Sequence, residues 1–112
     1  MKLYHNPRCS KSRQALSFLQ ENAIDFDIVF YMKDSLSFKD LQGLLRKLKM
    51  TPIDLIRKNE PIWKDAFSGK EMNEEELVNA MILHPKLMGR PLVESENTAV
   101  VAVSIGNIKD LL

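Results

Sequence analysis

Cysteine is nearly absent from this sequence: Cys9 is the single example in 112 residues. One thiol excludes a disulfide within the chain, and it equally excludes a redox couple between two cysteines of the same chain. It also excludes any zinc site that needs two or more thiolate ligands. If Cys9 takes part in redox chemistry, the second thiol of the reaction must therefore belong to another molecule.

An excess of charge of one sign is also missing. The 16 Lys and Arg residues balance 15 Asp and Glu residues, so nothing in the charge indicates a nucleic acid or a membrane surface as a partner. The longest stretch without a charged residue lies between Glu96 and Lys109, and it is too short to span a bilayer. No apolar signal core follows Lys2, so we expect a cytoplasmic protein.

The residues that are present have the composition of a soluble globular protein. Hydrophobic residues make up 45% of the chain and charged residues 28%. A chain of this length is typical of one domain, and it buries about two-thirds of its unfolded surface, so it needs no disulfide or metal to fold. We therefore predict a single domain over 1–112, without a metal site, and we expect a monomer.

The pattern of apolar residues predicts four short strands together with helices. Runs rich in β-forming residues predict the strands, over 2–5, 25–31, 90–93 and 98–103. Apolar residues at helical spacing and capping residues predict the helices, over 10–22, 37–48, 51–59, 61–67, 73–84 and 104–112. A β-α-β start requires a parallel pair of strands with a right-handed crossover. The order predicts an α/β, thioredoxin-like fold: a four-stranded mixed sheet with a helical insertion between the β-α-β and β-β-α halves.

Cys9 lies where the first predicted strand leads into the first predicted helix. The first N–H groups of a helix have no partner within the helix, and the helix dipole places partial positive charge there. Three cations and two hydroxyl groups are also near Cys9 in sequence: Arg8, Lys11, Arg13, Ser10 and Ser12. These features favour a thiolate with a pKa below that of a free cysteine, and the same N–H groups can hold an oxyanion.

Two other interpretations of Cys9 follow from the residues alone. A lone cysteine is often a small buried apolar residue without chemical function. A phosphatase loop would need the pattern C-x5-R, whereas Arg13 follows Cys9 after only three residues, none of them glycine. We therefore discount the phosphatase interpretation and keep the packing interpretation open.

Three segments of the chain resemble a known family. The segment HNPRCSKSR over 5–13 resembles the active-site loop of the thioredoxin-fold arsenate reductase family, of the type coupled to glutathione and glutaredoxin. The segments LIRKN over 55–59 and HPKLMGRPLV over 84–93 resemble the second and third arginine segments of that family. The three segments occur in the family's order and spacing, so the resemblance covers nearly the whole chain.

The resemblance implies a role for several residues. Cys9 would attack arsenate and form a thiolate–arsenic adduct, and Arg57 and Arg90 would clamp the oxyanion, with Arg8 and Arg13 as further candidate contacts. Glutathione would act as an external thiol co-substrate and glutaredoxin would regenerate Cys9, with no bound cofactor. A guanidinium suits this task because it can grip an oxyanion through two N–H groups.

Three supporting residues also follow from the resemblance. His5 would tune the thiolate, and Ser12 would donate a hydrogen bond to the sulfur. Pro91 would be the cis proline that thioredoxin folds place beside the active cysteine. Cis peptide bonds occur almost only before proline, in agreement with this assignment.

The chain departs from the family near Val103, where arsenate reductases commonly carry a third arginine and this chain has none. The loss of one charge-assisted contact weakens oxyanion binding about ten- to a hundred-fold. The departure favours a second hypothesis, a glutathione-dependent reductase of mixed disulfides. A third is a redox regulator resembling the Spx type, which binds RNA polymerase. Such regulators commonly use a C-x-x-C switch, and Ser12 stands in place of its second cysteine.

Overall fold

The structure is a computed structural model that describes residues 1–111. The chain divides into two compact units. The first unit contains Met1–Asp34 and the chain from Arg90 onward, and the second contains Ser35–Gly89. The assignment of 1–112 to a single domain stays a prediction. Within residues 1–111, no helix has the length and apolar character needed to cross a membrane.

The first unit contains the sheet and two helices. Its elements are β1 (Lys2–Tyr4), α1 (Ser10–Glu21), β2 (Asp27–Val29), β3 (Leu92–Glu94), β4 (Ala99–Val101) and α6 (Ile105–Lys109). The strand order is β2-β1-β3-β4. β1 pairs with β2 in parallel, and β1 with β3 and β3 with β4 pair antiparallel. This arrangement confirms the predicted mixed sheet of four strands, with a β-α-β start and a closing hairpin.

One apolar cluster holds the helices of the first unit on the sheet. Buried residues of β1, α1, β3 and α6, and the residue directly after β4, contribute to it, namely Leu3, Ala15, Leu19, Val93, Ala102 and Ile108. Each alternate side chain of a strand faces the same side, so Leu3 and Val93, which are register partners, point into the cluster together. This packing holds the start of α1 beside the end of β1, and the loop with Cys9 connects the two.

The second unit is the predicted helical insertion. It contains α2 (Phe38–Leu48), α3 (Pro52–Leu55), α4 (Pro61–Ala66) and α5 (Glu74–Leu83), followed by a turn of 3-10 helix (Pro85–Leu87). Capping fixes two of the starts, as predicted. The Ser37 side chain accepts from the N–H of Asp40 at 3.0 Å, and the Asn73 side chain accepts from the N–H of Glu76 at 2.8 Å.

The prediction that the third helix runs over 51–59 is wrong at its end. α3 ends at Leu55, and Ile56 has extended backbone angles (φ −75°, ψ 132°) and forms an antiparallel bridge with Met88. The carbonyl of Leu55 accepts from the N–H of Gly89 at 2.8 Å. Backbone hydrogen bonds to a distant segment therefore replace the helical ones at this point.

Other boundaries differ from the prediction by a few residues. The four strands are shorter than predicted, since each has only three residues. The last helix ends at Lys109, and Leu112, its predicted end, lies outside the described residues. The 3-10 turn after α5 was not predicted. It begins at Pro85, which has no N–H to continue α5.

Candidate active site

Cys9 directly precedes the first residue of α1 and has extended backbone angles (φ −96°, ψ 123°). Its N–H donates to the carbonyl of Asn6 at 3.0 Å, and its own carbonyl accepts from the N–H of Arg13 at 3.0 Å. The side-chain oxygen of Asn6 accepts from the N–H of Arg8 at 3.1 Å, which tightens the turn before the helix. The half-buried side chain of Cys9 thus lies at the positive end of α1.

The surroundings of Cys9 lower the pKa of its thiol below the ordinary value. Burial is the largest influence and by itself raises this pKa. The N–H of Ser12, the guanidinium of Arg90 and the N–H of Lys11 donate hydrogen bonds to the sulfur, and the charge of Arg90 also favours the thiolate. Together these contacts outweigh the burial, as the position at the helix start predicts.

His5 and Ser12 form a buried pair beneath the loop, with exposed fractions of 4% and 0%. The Nδ1 atom of His5 lies 2.6 Å from the Ser12 hydroxyl oxygen, which also accepts from the N–H of Asn6 at 3.0 Å. Burial, followed by the charge of Arg13, lowers the pKa of His5, so the imidazole is neutral at pH 7. Ser12 therefore reaches the sulfur through its N–H, while its hydroxyl orders the loop.

Arg90 is brought to Cys9 by the segment that leads into β3. Its guanidinium donates to the sulfur of Cys9. The Arg90–Pro91 peptide bond is cis, as the resemblance implied. The carbonyl of Pro91 accepts from the N–H of Ala102 at 2.8 Å, which ties this segment to the end of β4. The sheet therefore positions the guanidinium of Arg90 at the sulfur.

The other cations near the loop make contacts of their own. The ammonium of Lys11 donates to the carbonyl of Val103 at 3.1 Å. The guanidinium of Arg13 donates to the carbonyl of Pro7 at 2.9 Å, and Arg8 is exposed. The suggested contacts of Arg8 and Arg13 with an oxyanion stay predictions.

Arg57 belongs to the second unit and follows the bridge that ends α3. Its N–H donates to the carbonyl of Leu87 at 2.7 Å. Its guanidinium forms an ion pair with Glu60 and donates to the carbonyl of Lys86 at 3.3 Å. These bonds hold the side chain in one place within its unit, and its part in clamping an oxyanion stays a prediction.

Tyr31 is a residue of this site that the sequence reasoning missed. It follows β2, is only 2% exposed, and has a hydroxyl without a hydrogen-bond partner among residues 1–111. Burial raises its pKa to about 12; the charge of Arg90 lowers this pKa and that of Cys9 raises it. The predicted parallel pairing of β1 and β2 could have indicated Tyr31. The carboxyl ends of two parallel strands meet at one edge of a sheet, and the Cys9 loop follows β1 as Tyr31 follows β2.

Comparisons with known proteins agree with the fold described above. The arsenate reductase of Neisseria meningitidis is 32% identical over 114 aligned positions, which cover 100% of this chain and 97% of that protein. The uncharacterized protein YfgD of Escherichia coli is 39% identical over 101 positions, covering 88% of this chain and 85% of that protein. The solved structure of an arsenate reductase from Vibrio cholerae has a TM-score of 0.92 and 30% identity, and covers 100% of this chain and 98% of its own. Since the sequence model of the ArsC family also matches residues 4–111, this chain belongs to the ArsC family.

Proposed function

We propose that this chain is an oxidoreductase that reduces arsenate to arsenite at Cys9, with electrons from glutathione and glutaredoxin. The observation that carries the proposal is the half-buried thiol of Cys9, which has a lowered pKa and accepts hydrogen bonds from Arg90 and from the start of α1. A thiolate is a nucleophile, and the donors that stabilise it can equally stabilise the oxygens of a bound oxyanion. One loop thus combines a nucleophile with an anion site.

The reaction needs two electrons, which two thiols supply when they form one disulfide. The Cys9 thiolate attacks the arsenic atom, an S–As bond forms, and one arsenate oxygen leaves as water after protonation. A glutathione thiolate then attacks the sulfur of Cys9 and forms an S–S bond. The electron pair of the broken S–As bond stays on arsenic, which leaves as arsenite. A glutaredoxin thiolate finally takes over the glutathione and releases the Cys9 thiolate.

The residues around Cys9 have distinct tasks in this proposal. Arg90 stabilises the thiolate before the attack and the charge of the arsenate oxygens during it. The neutral pair of His5 and Ser12 keeps the loop in place, since a shift of the nucleophile would slow the attack. Arg57 is the second clamp that the family resemblance implies. The sequence has no second cysteine, so an external thiol is required, and the proposal assigns this task to glutathione.

Turnover with external thiols tests the proposal. The purified protein is incubated with arsenate, glutathione and glutaredoxin, and the oxidation of NADPH by glutathione reductase is followed. We expect a rate that depends on arsenate, and that disappears in Cys9→Ser. A rate equal to that of Cys9→Ser would contradict the proposal. Sulfate in place of arsenate is the control for oxyanion binding without reduction.

One observation favours a second function, the reduction of glutathione mixed disulfides. Val103 lies where the family commonly has its third arginine, and it is 57% exposed. An apolar residue there lowers the local positive charge, which a small, multiply charged oxyanion needs more than a peptide disulfide does. Thiol exchange with a glutathionylated peptide, at a rate that arsenate does not affect, would support this second function.

A further inference from the structure

Two buried polar atoms near Cys9 have no hydrogen-bond partner in the part of the chain that the structure describes. They are the hydroxyl of Tyr31 and the Nε atom of Arg90. Buried donors almost always find a partner, because an unpaired one loses its bonds to water without replacement. Two such donors in one region therefore need an explanation.

Both donors belong to the region of the Cys9 sulfur. The guanidinium of Arg90 donates to this sulfur, and the phenol of Tyr31 interacts electrostatically with Arg90 and with Cys9. The topology explains the proximity, since β1 and β2 pair in parallel and both lead out at the same edge of the sheet. The Cys9 loop follows β1. Tyr31 follows β2, from which it is separated only by Phe30.

The phenol of Tyr31 can only be a donor to an anion at neutral pH. Burial raises its pKa to about 12, so the hydroxyl keeps its proton. A neutral O–H donor is useful beside a thiolate because it can bind an anionic oxygen without adding a charge that would pair with the sulfur. An anionic oxygen that a ligand brings to Cys9 would supply the acceptor that the described residues do not provide.

We propose that the Tyr31 hydroxyl and the Nε–H of Arg90 donate hydrogen bonds to oxygens of the tetrahedral oxyanion bound at Cys9, which makes Tyr31 a substrate-binding residue. This inference rests on the proposed function, because it takes the ligand of Cys9 to be an oxyanion. The two donors form directed hydrogen bonds with the oxyanion, whereas the N–H groups at the start of α1 attract it through their partial positive charge. Tyr31 thereby selects ligands that carry an acceptor oxygen next to the sulfur.

The test compares Tyr31→Phe with Tyr4→Phe as a matched control. Tyr4 lies in β1 and is buried as Tyr31 is, but its hydroxyl already donates to the carboxylate of Glu94 at 2.7 Å. Binding is measured without turnover, as the protection of Cys9 from iodoacetamide by arsenate or sulfate, and urea unfolding is measured for each protein.

For Tyr31→Phe we expect the oxyanion concentration that gives half protection to rise about ten- to a hundred-fold, because the variant loses one hydrogen bond to a charged group. Its unfolding midpoint should be unchanged or higher, because the lost hydroxyl has no partner to leave behind. Tyr4→Phe should show the reverse, with normal protection and a lower midpoint. An unchanged protection constant in Tyr31→Phe would overturn the proposal, as would the absence of oxyanion protection in the wild type.

A second measurement is made on the wild type and does not depend on folding of Tyr31→Phe. Donation of a hydrogen bond to an anion shifts the near-ultraviolet absorption of a phenol, so sulfate should produce a tyrosine difference spectrum that persists in Tyr4→Phe. Its absence would contradict the proposal. The two proposals can fail separately. If the wild type does not reduce arsenate but oxyanions still protect Cys9, and if Tyr31→Phe loses this protection, the proposed function is overturned and the role of Tyr31 is supported.

Discussion

Replacing Arg90 by methionine removes a guanidinium that donates to the Cys9 sulfur and keeps a side chain of similar length. Arg90 favours the thiolate in two ways, as a hydrogen-bond donor and as a nearby positive charge. Burial opposes the thiolate and remains in the variant. We therefore expect the pKa of the Cys9 thiol to be higher in Arg90→Met than in the wild type.

The magnitude follows from the contact that is lost. A hydrogen bond to a charged group contributes about 1.5–3 kcal/mol. Because Cys9 is half-buried, solvent screening places the effect at the lower end, about 1.5 kcal/mol. This free energy corresponds to a thiolate population about tenfold smaller at any pH below the thiol pKa.

The assay is the rate of Cys9 alkylation by iodoacetamide as a function of pH, since only the thiolate reacts. The chain has no other cysteine, so the signal belongs to Cys9 alone. Arg46→Met is the matched control, because Arg46 is exposed on α2 and its loss changes the net charge equally. If the curve of Arg90→Met coincides with that of the wild type, Arg90 does not stabilise the thiolate and the reasoning is refuted.

Two further predictions concern the buried pair beneath the loop. Ser12→Ala leaves His5 and the N–H of Asn6 without their partner, and it should lower the free energy of unfolding in urea by about 1–3 kcal/mol. Ser10→Ala, at an exposed position, is the control and should change this free energy little. Equal unfolding midpoints for the two variants would contradict the prediction. Because the pKa of His5 is held below 6.5 in the folded chain, the unfolded chain binds more protons, and stability should fall as the pH drops below 6.5. This fall should be smaller in His5→Gln, and an identical pH dependence would argue against the buried neutral imidazole.

Local signals predicted the elements of the fold well. The capping bonds of Ser37 and Asn73 involve residues only three positions away, so the sequence around each is sufficient to indicate the helix start. The position of Cys9 before α1 could be predicted for the same reason. The hairpin and the parallel pair followed from the order of the elements.

Contacts between distant segments could not be predicted in the same way. α3 ends early because Ile56 bridges to Met88, and nothing near Ile56 in sequence indicates that bridge. The pairing of Arg90 with Cys9 followed from the family resemblance and not from the residues alone. Tyr31 was overlooked because it closes an apolar run, where an aromatic residue usually indicates packing, and its lack of a partner is visible only in three dimensions.

The proposal that Cys9 reduces arsenate is tested most directly by a single turnover. The protein is mixed with arsenate and glutathione in the absence of glutaredoxin, and its intact mass is measured together with the arsenite released. We predict one glutathione bound per chain through Cys9, one arsenite for each such disulfide, and neither product in Cys9→Ser. A disulfide that forms equally well without arsenate, or no disulfide at all, would contradict arsenate reduction at Cys9.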